Sequence, residues 1–418
     1  MTDTIVIGAG LSGLVSAIRL AQAGQDVTLL AQGLGGLQLS QGTVDVLGYA
    51  SERVSRPFKT LAALIKTDPH HPYAAIGADN VKSGLTWLSQ GLPGLLVGDP
   101  ELNRCFPTAV GALRPTCLYQ PSMAGGAALA GAEWAIVGPR QLKDFYPELC
   151  AANLSRSVLP DGGQIEARPY RIDLPARPGE ADCSALTYAR RLDQEDFRAQ
   201  FAQAVAQTVG DAAAIGLPAM LGLNAGDGLE AWRDLERRLG RPVFEIALAP
   251  PSVPGLRLNQ ALTALAKASG VRMILGSQVI GLISQGWQVQ GVILRQAGRD
   301  QRYDGSHFVY APGGFESGAL HLDSYGQLRE TAFGLPLRGG EADDLITGDY
   351  WQDQALFKVG VGVDAAMRVI DEVGQPVYQN LHAAGGILAG ASRWSEKSGE
   401  GIALGSAIAA TDAILKGQ

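Results

Sequence analysis

Apolar positions near the start of the chain follow first the period of a strand and then that of a helix. Residues 4–7 form a short apolar, β-branched run, and a second apolar run covers residues 26–30. Between these runs, apolar residues recur at helical spacing, at Leu11, Leu14, Val15 and Ile18. A strand, a helix and a second strand are therefore predicted in this order, which is a βαβ unit.

Three glycines separate the first predicted strand from the first predicted helix, in the pattern G-x-G-x-x-G: Gly8, Gly10 and Gly13. The first allows a tight turn, the second lets a phosphate approach the backbone, and the third permits close packing of helix and strand. The N–H groups of the helix N-terminus, around Leu11 and Ser12, would then face the phosphate. The pattern predicts a nucleotide-type phosphate site; the alternative is a glycine-rich turn that binds no ligand.

The end of the second predicted strand lacks a residue that dinucleotide sites carry. An Asp or Glu is expected there to bind the adenosine ribose, but this chain has Ala31 and Gln32. Two interpretations stay open. Either Gln32 and backbone groups bind the ribose without a charge, or the ligand has no adenosine half.

Short apolar runs alternate with helical patterns between residues 73 and 249. Strands are predicted at residues 95–97, 134–137, 213–217 and 243–248, and helices at 197–209 and 229–239. The alternation predicts a second α/β unit, inserted as a cap or substrate domain into a first domain of residues 1–72 and 250–418. The cofactor is expected where the two domains join.

After the insert, the pattern predicts a helix and then several strands. The helix is predicted at residues 256–269, with Ser252 as a possible cap. A strand at 271–275, a meander at 278–294 and a strand at 307–310 follow. A strand from residue 380 and an alanine-rich helix at 399–415 complete the predicted elements.

Glycines follow two of these strands and begin the last helix. The candidates they add near a ligand are Ala311, Gly313, Gly314, Gly385, Gly386, Gly401, Ile402 and Ala403. Ser40, Gln41 and Gly42 are small or hydroxyl-bearing residues that would fit beside a planar ring, but an ordinary turn explains them equally well. Val279, in the meander, is a further candidate.

Composition limits the classes of function. The chain has 418 residues, a net charge of −7 and only 18% charged residues. The negative charge argues against nucleic acid and against a basic patch that docks on anionic lipid. No apolar run of about 18 residues predicts a membrane span, and no secretory leader is expected because the first strand begins at once. Four separated cysteines without a C-x-x-C motif predict reduced thiols, with no iron–sulfur or zinc site.

The order of these motifs resembles the flavoproteins of the fumarate reductase and glutathione reductase kind. A βαβ unit, a long insert, a meander, a strand ending in A-P-G-G, and A-A-G-G before a glycine-started helix follow one another. The resemblance implies that residues 311–314 lie beside the flavin and that the helix at Gly401 points at its ring. Related chains read A-x-G-D where this chain has Gly386, so the Asp expected near the ribityl chain is absent.

More narrowly, the chain is similar to the B-subunit family of anaerobic glycerol-3-phosphate dehydrogenase. The residues that carry this resemblance are 40–47, 71–73 and the double-proline segment 250–258. The resemblance implies FMN as cofactor, with FAD as the alternative. It also implies two partners, a flavoprotein that is the A subunit of the complex and a membrane-associated iron–sulfur protein that is its C subunit. Electron transfer to menaquinone and a cytoplasmic location at the inner face of the membrane are implied as well. The missing acid after the second strand agrees with FMN.

Catalytic residues are proposed from residue type, and Arg257 is the best of them because it lies in the double-proline segment, near the start of a predicted helix. Oxidation of a secondary alcohol needs a base for its proton and cations for a phosphate, which makes Arg257, Arg114 and His382 candidates. An NAD-dependent dehydrogenase and a scaffold subunit that has lost its flavin are the competing classes. The sequence leaves open whether the alcohol is oxidised on this chain or on the partner flavoprotein.

Overall fold

The computed structural model describes residues 2–159, 162–224, 229–339, 345–349 and 352–417. Its strands are β1 (Thr2–Ile7), β2 (Val27–Ala31), β3 (Val97–Gly98), β4 (Arg104–Pro107), β5 (Leu113–Thr116), β6 (Leu118–Tyr119), β7 (Glu133–Pro139), β8 (Glu166–Ile172), β9 (Ala214–Pro218), β10 (Val243–Ile246), β11 (Arg272–Leu275), β12 (Gln278–Gln285), β13 (Gln288–Gln296), β14 (Arg299–Tyr310), β15 (Leu320–Leu322), β16 (Leu328–Glu330), β17 (Gly362–Val363), β18 (Val369–Ile370) and β19 (Leu381–Ala383). Its helices are α1 (Leu11–Gln22), α2 (Pro57–Thr67), α3 (Pro72–Ile76), α4 (Ala78–Gly91), α5 (Pro147–Arg156), α6 (Ala185–Leu192), α7 (Glu195–Thr208), α8 (Glu230–Leu239), α9 (Val253–Ala268), α10 (Arg393–Glu396) and α11 (Gly399–Lys416).

Two compact units are formed by the chain. The first consists of residues 1–36, 45–91 and 262–418, and the second of residues 37–44 and 92–261. The first unit therefore includes residues 73–91, which the sequence placed in the insert, and the second includes residues 37–44. The domain boundaries at residues 72 and 250, and the role of the insert as a cap, stay predictions.

The first unit is built on a seven-stranded sheet. Strands β11, β2, β1, β14 and β19 run parallel in this order, and β12, β13 and β14 form an antiparallel meander. All five residues of β2 and the last four of β1 are buried, as expected for parallel strands covered on both faces. The register aligns Ile7, Tyr310 and Ala383, so β1, β14 and β19 end at one edge of the sheet.

Helix α11 is largely buried within the first unit. All of its residues from Gly401 to Thr411 are buried, and small residues allow neighbouring helices to approach. A Cβ atom at Gly84 of α4 would lie only 2.9 Å from Cβ of Leu404, and one at Gly405 would lie 2.8 Å from Cγ2 of Val81. Close contact between α4 and α11 explains why residues 78–91 belong to this unit.

The second unit contains a four-stranded parallel sheet in the order β10, β9, β7, β8. Its core combines the apolar residues of these strands with those of α5 to α8, and Trp134 packs against Phe244 with ring centroids 4.8 Å apart. Every residue of β9 and β10 is buried. The α/β character predicted for this part of the chain is thus observed, although the predicted strand at 95–97 is reduced to the two residues of β3.

Helix α9 begins in the second unit and ends in the first. The Ser252 hydroxyl accepts a hydrogen bond from the Gly255 amide at 3.0 Å, which confirms the predicted cap. Gly255 is required because a Cβ atom there would overlap the carbonyl oxygen of Leu37 and lie 2.7 Å from that of Ser40. The double-proline segment therefore has a packing role within the second unit.

Candidate functional site

The turn between β1 and α1 holds its glycines for different physical reasons. Gly8 has a φ of +107°, and a Cβ atom there would overlap the carbonyl oxygen of Ala311. A Cβ atom at Gly13 would overlap the carbonyl oxygen of Gly8, so this glycine brings α1 close to the end of β1. At Gly10, by contrast, a Cβ atom would meet nothing within 4 Å. The space over Gly10 is open, as a phosphate site requires.

The first turn of α1 presents N–H groups to this open space. Gly10 is the N-cap, and its carbonyl accepts from the Leu14 amide at 3.0 Å. Within the described ranges, the amides of Leu11, Ser12 and Gly13 donate no hydrogen bond to another protein group. Such donors at a helix N-terminus, together with the positive end of the helix dipole, favour an anion.

The ends of β14 and β19 lie beside this turn. Gly313 and Gly385 have φ values of +93° and +77°, which a residue with a side chain rarely adopts. A Cβ atom at Gly385 would overlap the hydroxyl of Ser12 in α1, and the Gly385 amide donates to the Ser406 hydroxyl at 2.9 Å. A Cβ atom at Gly314 would lie 3.1 Å from the carbonyl oxygen of Gly386. The structure thus brings together the predicted residues Gly8, Gly10, Leu11, Ser12, Gly13, Ala311, Gly313, Gly314, Gly385 and Gly386.

The start of α11 is occupied largely by protein. The Gly401 amide donates to the carbonyl of Asp45 at 2.9 Å, and a Cβ atom at Gly401 would overlap the hydroxyl of Tyr73. Ile402 and Ala403 are buried. Packing against residues 45–46 and Tyr73 therefore accounts for the glycine at 401, and direct contact of these three residues with a flavin stays a prediction.

The motif at residues 71–73 supports this start of α11, a role that the sequence did not reveal. The His71 ring accepts from the Tyr73 amide at 3.2 Å through Nδ1 and contacts the Glu396 carboxylate at 3.1 Å through Nε2. The Tyr73 hydroxyl donates to the carbonyl of Ser398 at 3.2 Å. Burial alone would raise the pKa of Glu396, but hydrogen bonds from His71, Ser398 and the Ser392 amide hold that pKa below its ordinary value.

The end of β2 shows no acid at the position where dinucleotide sites carry one. Ala31 is the last residue of β2 and is buried, whereas Gln32 is exposed. Val279 is buried in β12, which pairs with β13. That Ala31, Gln32 and Val279 contact the cofactor stays a prediction.

The predicted ring contacts Ser40, Gln41 and Gly42 lie in the second unit. Gly42 has a φ of +71°, and a Cβ atom there would lie 2.5 Å from the Pro254 carbonyl carbon. The Gln120 amide nitrogen donates to the carbonyls of Gly42 and Pro254, at 3.3 and 2.7 Å. Packing within the second unit thus explains the glycine at position 42. The contact of this loop with a flavin stays a prediction.

Arg257, the best catalytic candidate in the sequence, is completely buried in the second unit. Its guanidinium forms two hydrogen bonds with the Glu245 carboxylate, at 2.7 and 2.9 Å, and donates to the carbonyl of Gly222 at 2.7 Å and to the Gln120 side chain at 3.1 Å. Burial alone would raise the pKa of Glu245, but the charge and hydrogen bonds of Arg257 hold it below its ordinary value. The guanidinium is thus engaged within the protein, and its predicted catalytic role stays a prediction.

Arg114 is partly exposed, at a small pocket of the second unit. Its guanidinium donates to the side chain of Gln41. The pocket is lined by Gln41, Thr43, Phe106, Pro107, Arg114, Thr116, Met123, Glu245 and Ala247. Arg114 and Glu245, which is paired with Arg257, are the charged residues of this lining.

His382 lies in the middle of β19 and is buried. Its Nδ1 atom contacts the carbonyl of Ala366 at 2.7 Å. Burial lowers the pKa of His382 below its ordinary value, against the opposing effect of that hydrogen bond. The contact with Ala366 gives this buried imidazole a structural role in the sheet. The catalytic role of His382 stays a prediction.

The donor set at the glycine turn fits the phosphate of a flavin. Open space over Gly10, three helix N–H groups and the adjoining glycine turns make a cradle that a side chain would fill. Among the described residues, no cluster of three or more His, Cys, Asp or Glu that would hold a metal ion is found. Fold and site together define an α/β protein of the class that binds a nucleotide-type cofactor at the ends of parallel strands.

Comparisons with known proteins give the family. The FAD binding domain family matches residues 3–402. A probable B subunit of anaerobic glycerol-3-phosphate dehydrogenase from Halobacterium salinarum is 30% identical, over 99% of this chain and 98% of the relative. The B subunit of the same enzyme from Pectobacterium atrosepticum is 28% identical, over 99% and 98%. A solved flavocytochrome c3 fumarate reductase shares 11% identity at a TM-score of 0.46, over 99% of this chain and 78% of that one.

The chain belongs to the FAD binding domain family and, within it, to the B-subunit family of anaerobic glycerol-3-phosphate dehydrogenase. The resemblance seen in the sequence and the predicted fold class are thereby confirmed. A flavin is the cofactor type that this family indicates. No helix in the described part of the chain is long and apolar enough to cross a membrane.

Proposed function

We propose that this chain is the flavin-carrying B subunit of an anaerobic glycerol-3-phosphate dehydrogenase, which helps to oxidise sn-glycerol 3-phosphate to dihydroxyacetone phosphate. The observation that carries the proposal is the open space over Gly10 in front of the amides of Leu11, Ser12 and Gly13, which donate to no acceptor among the residues that the structure describes. The relatives' names support the substrate.

The cofactor proposed is FMN, held without a covalent bond, with FAD as the alternative. FMN needs one phosphate site and no contact for adenosine. The exposed Gln32 at the end of β2 supplies no carboxylate for an adenosine ribose. The description of the matching family speaks for FAD. Mass spectrometry of the flavin released by acid from the purified protein distinguishes the two, and stoichiometric FAD would contradict the FMN proposal.

A bound flavin accepts a hydride from an alcohol carbon, and the protein must bind the substrate's phosphate and accept its hydroxyl proton. Arg114 is the proposed cation for the phosphate, because it is partly exposed and its side chain lines a pocket. Arg114→Gln is expected to raise KM for glycerol 3-phosphate by about tenfold or more, since a hydrogen bond to a charged group is lost. An unchanged KM would remove Arg114 from substrate binding.

The proposed partners are the flavoprotein that forms the A subunit of the complex and the membrane-associated iron–sulfur protein that forms its C subunit, with menaquinone as the final acceptor. The relatives are named as one lettered subunit of a dehydrogenase, which supports an assembly of several chains. The four cysteines are far apart in the sequence and form no C-x-x-C pair, so iron–sulfur clusters are proposed to lie on a partner. The proposed location is the cytoplasmic face of the membrane, reached through that partner.

The test uses the chain purified alone and together with its co-expressed partners. We expect the chain alone to show the visible absorption of a flavin, and the complex to reduce a dye with glycerol 3-phosphate. Dye reduction by the chain alone would place the oxidation of the alcohol here, whereas activity only in the complex would place it on the partner flavoprotein or require both. A colourless protein that takes up no added flavin would contradict the proposal and favour a scaffold subunit.

A further inference from the structure

The guanidinium of Arg393, at the start of α10, lies against the glycine turns that follow β14 and β19. A Cβ atom at Gly386 would overlap its Nη1 atom and lie 3.2 Å from its Cζ atom. A Cβ atom at Gly314 would lie 3.0 Å from its Nη2 atom. The cation therefore occupies the place that a side chain at residue 386 would enter, where the sequence led us to expect a carboxylate.

Few of the donors of Arg393 are engaged. Among the residues that the structure describes, its guanidinium has one ion-pair partner, Glu316, at an Nη2–Oε1 distance of 3.6 Å. That separation is too long for a good hydrogen bond, and the Glu316 side chain is 55% exposed. A guanidinium carries five N–H donors, so most of the hydrogen-bonding capacity of Arg393 is left for another acceptor.

The guanidinium of Arg393 and the predicted anion site at the start of α1 are connected through two adjacent glycines, Gly385 and Gly386. Gly385, the neighbour of Gly386, is in contact with Ser12 in the first turn of α1. The helix N-terminus and the guanidinium thus bring two positive features to the same edge of the sheet, one on each side of Gly385. Both would favour a negatively charged oxygen.

We propose that Arg393 is a flavin-binding residue whose guanidinium donates hydrogen bonds to an anionic oxygen of the cofactor, in place of the carboxylate expected at residue 386. This inference rests on the proposed function, because it takes the flavin to lie at these turns. The anionic oxygen has two possible sources in one ligand: the phosphate, or the ring once it is reduced and negatively charged.

The experiment measures flavin affinity rather than activity. Apoprotein is titrated into FMN, FAD and riboflavin, and binding is followed by flavin fluorescence. Arg393→Gln is expected to weaken FMN binding about 10- to 100-fold, because a hydrogen bond to a charged group is lost. Arg393→Lys, which keeps the charge but loses the planar fork, is expected to fall between this variant and the parent.

Two further variants separate a ligand contact from a loss of structure. Glu316→Gln removes the carboxylate that competes for Arg393 and is expected to tighten FMN binding severalfold, which damage to the fold would not do. Arg19→Gln is the matched control. Arg19 also forms one ion pair and is partly buried, but it lies near the other end of α1, so its loss is expected to leave flavin affinity unchanged.

The outcomes decide both the contact and its source. A loss seen with FMN but not with riboflavin assigns Arg393 to the phosphate. A loss seen with both, together with a lowered reduction potential of the bound flavin, assigns it to the reduced ring. If Arg393→Gln binds all three flavins as the parent does and keeps the parent's potential, the inference is wrong while the proposed function stands. A parent that binds no flavin overturns the proposed function and this inference with it.

Discussion

At the scale of single residues, the glycine turn contains two kinds of glycine. Packing of the fold requires Gly8 and Gly13, whereas the proposed ligand is the reason for Gly10. Gly8 and Gly13 are in contact with backbone atoms on the side where a Cβ atom would point, whereas Gly10 faces open space. Gly10 also has a φ of −76°, which any residue can adopt. Protein structure alone therefore gives no reason for a glycine at this position.

Gly10→Val is expected to fold and to lose the flavin. The side chain would project into the space where the phosphate is proposed to bind, while the free energy of unfolding should change by only about 1 kcal/mol. Flavin content after purification and urea denaturation of the apoprotein check the two halves of this prediction. Gly210→Val, at another glycine with open space, is the control. A Gly10→Val protein that keeps its flavin would move the phosphate elsewhere.

Gly13→Val, by contrast, is expected to lower the stability of the fold. The new side chain would overlap the carbonyl oxygen of Gly8 and force α1 away from β1. Overpacking of this kind should cost about 3 kcal/mol or more in the free energy of unfolding. Thermal denaturation of the apoprotein is the measurement. A melting temperature equal to that of Gly10→Val would show that α1 can shift at little cost.

At the scale of elements, the pairing of β10 with the start of α9 depends on one buried ion pair. Glu245 in β10 and Arg257 in α9 are both inaccessible to solvent, and the Ser122 hydroxyl and the Leu221 amide donate to the same carboxylate at 2.6 and 2.8 Å. All these groups lie in the second unit. A fully satisfied network fixes how helix and strand pack, because each member would be costly to leave unpaired.

Arg257→Met is expected to lower the free energy of unfolding by about 3–5 kcal/mol, since Glu245 is left buried without its counter-charge. Urea denaturation followed by circular dichroism measures this loss. The double variant Arg257→Met with Glu245→Leu should be more stable than Arg257→Met, because no uncompensated charge remains. Arg295→Gln, in an exposed pair with Asp300, is the control and should change nothing measurable. A small effect of Arg257→Met would show that this ion pair does not fix the packing of α9 on β10.

At the scale of the whole molecule, the chain forms two compact units, and the first carries a stability that depends on pH. His307 in β14 and His382 in β19 lie on neighbouring strands of its sheet. Burial lowers the pKa of both rings below the ordinary value. Unfolding exposes both imidazoles to water, so their protonation is linked to the stability of this unit.

Acid is therefore expected to destabilise the protein below about pH 6.5, the ordinary histidine pKa that applies to the unfolded chain. In this range the unfolded state binds protons that the half-buried His307 and the buried His382 do not, so stability falls as the pH falls towards the lowered folded pKa. His382→Gln should reduce this slope by up to about 1.4 kcal/mol per pH unit. Urea denaturation between pH 5 and 8 measures the slope, with the exposed His321→Gln as control. Parallel curves for parent and His382→Gln would contradict the prediction.

Local patterns predicted the elements around the glycine turn. The β1–α1–β2 unit, the meander, β19 and α11 all stand where period and glycine spacing indicated, because each of these signals depends on residues close in sequence. The glycine turn was likewise predicted from G-x-G-x-x-G alone. Family membership also followed from short segments along the whole chain, and the comparisons confirmed it.

Only the tertiary structure decided which charged residues are engaged and which are available. Arg257 was singled out by its position near a helix start, yet Glu245 and Gln120 enclose it, and Gln120 lies far from it in the sequence. Arg393 gave no local signal, and its place against Gly314 and Gly386 depends on the meeting of two strand ends. Periodicity reports which face of an element is apolar, but not which distant side chain a charge will meet. The sequence by itself thus determined the elements and the glycine turn, and long-range packing determined the surroundings of the charges.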